Sequence, residues 1–269
     1  LSHICSGKFY FTIIFISLLA TSLKVQAADT TASYPDLFLD DVKYVLTKPA
    51  HWQTQEWKDL GWASLAVVST AMLIDNPLHD KAHTQAGSSP FMLTIERFGA
   101  DFSIGVIGGF YLTGSLADND TAMLVAQDSL TASIIASGMI TPTIKIITGR
   151  SRPYEEVGNN NFQGASASSP NSSFPSGHTT EAFALASVIS AHYEETWIKS
   201  SVYTVATLVG MARVYNDAHF ASDVLAGALI GNWVGRSVVA HNIKSRNKSM
   251  IILPEVGQNF WGIRLGRIF

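Results

Sequence analysis

Apolar residues fall in long blocks separated by short polar breaks, a pattern that predicts helices rather than alternating strands. The blocks run from Gly61 to Ile74, Phe91 to Leu116, Asp120 to Ile147, Ser176 to Tyr193, Thr196 to Asn216 and Ser222 to His241. Gly105, Gly108 and Gly109 in the second block, and Gly227, Gly231 and Gly235 in the last, are small enough to let helices approach closely. Asp75-Asn76-Pro77 reads as a stop signal, so His79 and His83 are expected on the loop after it. Pro142 should kink its helix or end its first part, and Pro153 ends the element carrying Lys145 and Arg152. The expected fold is all-α, a bundle of about six helices.

The pattern changes at both ends. Trp261, Ile263 and Leu265 alternate with Gly262, Arg264 and Gly266, a period of two that predicts a small C-terminal β-hairpin. At the other end Lys8 precedes the apolar run Phe9 to Ala20, and Val25-Gln26-Ala27 offers small residues for cleavage. The expected organisation is an export signal over 1–27, an N-terminal arm over 28–60, the helical domain over 61–241, and a linker with the hairpin over 242–269. An uncleaved anchor is the alternative to the signal. Residues 154–174 are rich in Gly, Asn and Ser and form either a lid or a plain spacer.

Composition narrows the partners. Apolar residues make up 47% of the 269 positions and charged ones 14%, a balance tilted toward extensive burial or membrane contact. A net charge of −3 argues against nucleic acid as a partner, because no basic field covers the chain. The one cysteine, Cys5, would leave with the signal, so the mature protein holds no disulfide or metal–thiolate site. The longest uncharged stretches, near Phe102 to Ala117 and Ser129 to Ile144, fall short of the roughly 20 residues that span a bilayer. That favours a globular bundle outside the cytoplasm, with an integral membrane form as the rival. Trp52, Trp57 and Trp62 suit either core packing or a membrane interface.

The chemistry is concentrated in three short stretches. In Phe174-Pro175-Ser176-Gly177-His178, Ser176 is a plausible N-cap, and the amides of Gly177 and His178 open a helix N-terminus, a ready anion site. Upstream, Lys145 and Arg152 stand about two helical turns apart, with Arg150 between them read as structural or peripheral. Downstream, Arg213 is followed by His219 and Asp223. His79 and His83 are spaced for a metal if helical, with Asp75 and Asp80 nearby, but lack a clear third ligand, and no metal or other cofactor is expected. Lys145 with Arg152-Pro153, Pro175 to His178, and Arg213 with His219 and Asp223 together resemble the type 2 phosphatidic acid phosphatase superfamily, which also holds bacterial acid phosphatases and vanadium haloperoxidases. The resemblance covers roughly residues 60 to 240. One position departs: Ala212 stands where that family has Ser before the third-motif Arg.

The resemblance implies a metal-independent phosphatase. Lys145, Arg152 and Arg213, with Ser176 and Gly177, would bind the phosphoryl group, whose oxygens keep their negative charge in the transition state. His219 would be the nucleophile, Asp223 at i+4 would fix its tautomer, and His178 would be the general acid and later the base for water. The substrate carries phosphate, on a lipid, a polyprenyl diphosphate or a small ester. A lipid phosphotransferase, a vanadate-dependent haloperoxidase and a catalytically silent envelope scaffold are the alternatives. Oligomeric state is not legible in the sequence.

Overall fold

A computed structural model describes residues 34–267 apart from 85, 166, 167, 249, 258 and 259. The expected export signal therefore lies outside the described residues. The described residues divide into two compact units, one of residues 34–44 and 244–267, the other Val45–Ile243.

The larger unit is mainly helical, with a long loop between Thr148 and Gly177. Its elements begin in helix α1 (Tyr34–Thr47), which crosses into it from the smaller unit, and continue through a 3-10 turn at Lys48–His51, α2 (Thr54–Leu73) and α3 (Asp75–His83). Then come α4 (Pro90–Ile95), a 3-10 turn at Glu96–Gly99, α5 (Asp101–Leu116) and α6 (Asp120–Ser133). A π-helical stretch over Ile134–Ile140 leads into α7 (Thr141–Thr148), and α8 (Gly177–His192), α9 (Thr196–Tyr215) and α10 (Ala221–Lys248) complete the order. The expected all-α bundle is what the structure shows. Among the described residues of this unit the nearest thing to a sheet is a single bridge between Arg150 and Phe162. In the smaller unit Met250–Gly257 and Phe260–Arg267 run antiparallel as β1 and β2.

Four boundaries differ from the sequence reading, each for a physical reason. The residues after Asp75 form a helix, not a loop, because Pro77 sits in the first turn, where no intrahelical N–H is required. The expected helix 91–116 is broken at Glu96–Gly99, where that turn packs against α8 and α9. The helix through Pro142 does not end before it; the ladder loosens to π geometry over Ile134–Ile140 and resumes at Thr141. Finally, α10 continues through the expected linker to Lys248.

α8 is the axis of this unit. It packs on α6, α9 and the Glu96–Gly99 turn, and Ala182, Ala186, Ala206 and Val209 form a buried cluster between it and α9. α10 crosses it through Gly227, Gly231 and Gly235, where any Cβ would overlap backbone or side-chain atoms of α8 or the carbonyl of Ser176. That stripe brings the start of α10 against the start of α8. Trp52 stacks edge-on against Trp57 and Trp233, at 5.1 and 5.8 Å, so it packs within the protein while Trp62 faces outward.

Candidate active site

His219 stands on the short loop between α9 and α10, held by backbone bonds from Ala218 N and His219 N to the Arg213 carbonyl. Its side chain is 2% exposed. Asp223 occupies the first turn of α10, and its carboxylate accepts the Phe220 N–H at 2.9 Å, the back-reaching half of a capping box. The same oxygen accepts from Ser173 Oγ at 2.5 Å, while the other takes Arg150 Nη1 at 2.5 Å. The expected hydrogen bond from His219 is not formed: Nδ1 lies 3.7 Å from Asp223 Oδ2 and has no hydrogen-bond partner among the described residues. Such bonds commonly tighten only when substrate arrives.

α8 begins beside this loop because the Ser176 N–H donates to the Asp223 carbonyl at 3.0 Å. Ser176 holds the N-cap position, but its side chain makes no cap bond; its Oγ accepts from Thr179 Oγ1 at 2.9 Å instead. The amides of Gly177 and His178 open the helix, with the His178 side chain half-buried. Gly99 lies against His178 so closely that a Cβ there would overlap its carbonyl.

The cations arrive from three elements. Lys145, on α7, donates Nζ to the carbonyl of Ser172 and, at 3.5 Å, to that of Ser173. Arg152 reaches the Ala218 carbonyl at 3.4 Å and Ser172 Oγ at 3.3 Å. Arg213, in the last turn of α9, donates Nη1 to Glu96 at 2.6 Å. Both arginines keep a buried Nε without a partner among the described residues. Burial, and then the charges of Lys145, Arg152, Arg213 and His178, hold the His219 imidazole well below its ordinary value. All five groups therefore act on one another, and the arrangement is suited to a small dianion.

Residues 129–246, which carry all three motifs, match the PAP2 superfamily. The match lies on the part of the chain that carries the clustered cations and His219. Over 235 residues the chain is 28% identical to a lipid A 1-phosphatase of Porphyromonas gingivalis, covering 84% of this chain and 48% of that protein. It is 32% identical over 109 residues to a lipid A 1-phosphatase of Rhizobium etli, covering 39% and 45%. The chain thus spans about half the length of these curated relatives. The crystal structure of Aquifex aeolicus LpxE aligns with a TM-score of 0.48 at 23% identity, over 62% of this chain and 95% of that one.

The matched segment is held by residues to which the sequence reading gave no role or only a structural or peripheral one. Arg150, taken there as structural or peripheral, is buried at the centre of the network. It donates to Asp223, to Ser222 Oγ at 2.7 Å, to Asp75 at 2.8 Å and to the Asn159 carbonyl at 3.0 and 2.6 Å. Its guanidinium also lies 4.4 Å over the Phe220 ring. Glu96 holds both Arg213 and Asn216, at 2.6 and 2.8 Å. Asp75, Glu96 and Gly99 precede the matched segment, so part of the support comes from outside it. His79 and His83 share a helical face, yet both point Nδ1 at Asp217, and no cluster of three potential metal ligands occurs among the described residues. Ala212, at the departing position, is fully buried and apolar.

Proposed function

We propose that the chain is a metal-independent phosphatase of lipid phosphates, acting at a membrane of the cell envelope through a phosphohistidine on His219. The observation that carries this reading is the convergence of Lys145, Arg152, Arg213 and His178 on a buried imidazole kept neutral. A neutral imidazole has a lone pair to give, and three cations neutralise the phosphoryl oxygens without a metal. In the first step His219 Nε2 bonds to phosphorus, the ester P–O bond breaks, and His178 gives its proton to the leaving alkoxide. In the second, water attacks phosphorus, His178 takes its proton, and the P–N bond breaks to release phosphate. Asp223 sits on the Nδ1 side, and closing the 3.7 Å gap would steady the imidazolium as charge develops.

Two features favour a lipid substrate. The curated relatives named above are lipid phosphatases by name. The outer surface of the bundle is also apolar over α2, where Leu60, Trp62, Leu65, Val68, Met72 and Leu73 all face outward and no residue is buried. Leu112 and Leu116 of α5 and Trp197 of α9 extend this exposure. Exposed apolar side chains of this size are costly in water and favourable against lipid. The helical stretch Asp120–Thr148 is long and apolar enough to cross a bilayer. These features favour the membrane-associated form over the freely soluble one.

Turnover of a long-chain phosphatidate in mixed micelles, compared with glycerol phosphate in the presence of EDTA, tests the proposal. The lipid should be preferred by about tenfold or more in kcat/KM, with EDTA without effect and vanadate competitive. Preference for the small ester would overturn the lipid assignment, and loss in EDTA restored by magnesium would overturn the mechanism.

A further inference from the structure

Asp217 has a side chain 4% exposed and a backbone φ of 54°, in the left-handed region that a non-glycine residue adopts at a cost. Both carboxylate oxygens are engaged. His79 Nδ1 donates to Oδ1 and His83 Nδ1 to Oδ2, each at 2.9 Å. His79 also lies edge-on to Phe220, 5.9 Å between ring centres. Four residues before His79, on the same face of α3, Asp75 accepts from Ser222 N at 2.9 Å and Ser222 Oγ at 2.6 Å. One short helix therefore grips the nucleophile loop at both ends, at Asp217 and at Ser222, with His219 between them.

From this geometry we propose that Asp217, held by His79 and His83, is a positioning residue for His219, and that the histidine pair fixes the imidazole at the attack position. The inference rests on the reading of His219 as nucleophile. Asp217 precedes Ala218, whose carbonyl accepts from Arg152. Letting Asp217 relax from its left-handed conformation would move that carbonyl and the His219 backbone together. A misplacement of about 1 Å at a nucleophile costs as much as about 10²-fold in rate.

The brace also responds to pH. Its surroundings are mixed in charge. Glu156 from the loop after Pro153 reaches His83 Nε2 at 3.2 Å, and Asp80 and Lys81 share α3. Arg152 approaches from the loop side, Arg213 and Glu96 hold the Asn216 end, and Arg150 with Asp75 holds the Ser222 end. His219 itself follows two residues later. The hydrogen bond and charge of Asp217, with a smaller contribution from Glu156, raise His83 above its ordinary value, against a small opposing effect of desolvation. A raised value means the charged grip is fully present at acid pH and weakens as pH rises through it.

The experiment compares Asp217→Ala, His83→Gln and His219→Ala with the unaltered chain in detergent, using nitrophenyl phosphate and a lipid phosphate from pH 5.5 to 9. Asp217→Ala should lower kcat by about 10- to 100-fold for both substrates, with KM within about twofold. His83→Gln keeps a neutral donor, so the ratio of unaltered to variant kcat should be largest at acid pH and fall toward one as His83 loses its proton. His83 is half-exposed, so this variant folds even if Asp217→Ala does not. A kcat for Asp217→Ala within twofold of the unaltered chain, an effect on KM alone, or a ratio for His83→Gln that is flat with pH would overturn the positioning role. Retained turnover in His219→Ala would instead overturn the functional reading beneath it.

Discussion

α2 and α8 are both helices drawn from apolar blocks of the sequence, and the fold treats them in opposite ways. α8 buries Thr179 through Ala182 and Ala184 through Ser190, and half of its apolar residues are alanine. α2 buries none of its 20 residues and turns tryptophan, leucine, valine and methionine outward. Apolar content does not separate the two; side-chain size does. Small residues on α8 let the glycine stripe of α10 approach and leave room for buried hydroxyls and Glu181, so the helix is built for protein neighbours. The bulky residues on the outward face of α2 are exposed and suit lipid tails. The site belongs to the first kind of region, and on the proposed reading a lipid reaches it by way of the second.

The inner region should break hardest. Arg150→Ala leaves Asp75 and Asp223 as buried, uncompensated carboxylates, and removing one partner from such a network costs about 3–5 kcal/mol. Chemical denaturation should show this as a large fall in the midpoint, together with loss of turnover. Loss of turnover at unchanged stability would mean that Arg150 is not the structural centre of the network.

A milder change sharpens the same contrast. Gly99→Ala adds one methyl where the Glu96–Gly99 turn meets His178, and the turn must shift. Stability should fall little, but kcat should fall by up to about 10²-fold, because general acid catalysis depends on where His178 sits. The loss should be larger for alkyl than for aryl esters, measured side by side, since an aryl oxide needs little protonation to leave.

On the outer face, Leu65→Asn with Met72→Asn should leave turnover of nitrophenyl phosphate in detergent within about twofold. Recovery in the membrane fraction and turnover of vesicle-borne lipid phosphate should drop. If the pair instead leaves membrane recovery intact, α2 does not face lipid.

The smallest effect is on pH. His219 is depressed by burial and by the neighbouring cations, so its contribution to stability is fully present above the ordinary value of 6.5 and is lost as pH falls from there through the depressed value. Thermal unfolding followed from pH 7.5 to 5 should show the unaltered chain losing ground to His219→Gln over that window. The acid limb of kcat/KM that reports the nucleophile should likewise lie below 6.5.

The motif residues stood out by type and spacing, and the structure brings them together around His219; the all-α bundle was legible from the apolar blocks. The residues that hold the site were not. Asp75 meets Ser222 across 147 positions, and Glu96 meets Arg213 across 117, distances at which no periodicity links a pair. Arg150 was read only as structural or peripheral because nothing local shows that Asp75 and Asp223 close over it. α3 was read as a loop because Asn-Pro usually ends a helix, yet here it opens one. The break at Glu96–Gly99 did leave a trace, the polar pair Glu96-Arg97 followed by Gly99 and Asp101, which was passed over when 91–116 was read as one block.

The central claim is that His219 takes the phosphoryl group and His178 manages the protons. The most direct measurement is rapid acid-free quenching of the enzyme with labelled nitrophenyl phosphate, followed by localisation of the label, in the unaltered chain, His178→Ala and His219→Ala. The account predicts label on His219, accumulating in His178→Ala because water then attacks without its base, and absent from His219→Ala. Label on His178, or on neither histidine in any of the three, would contradict it.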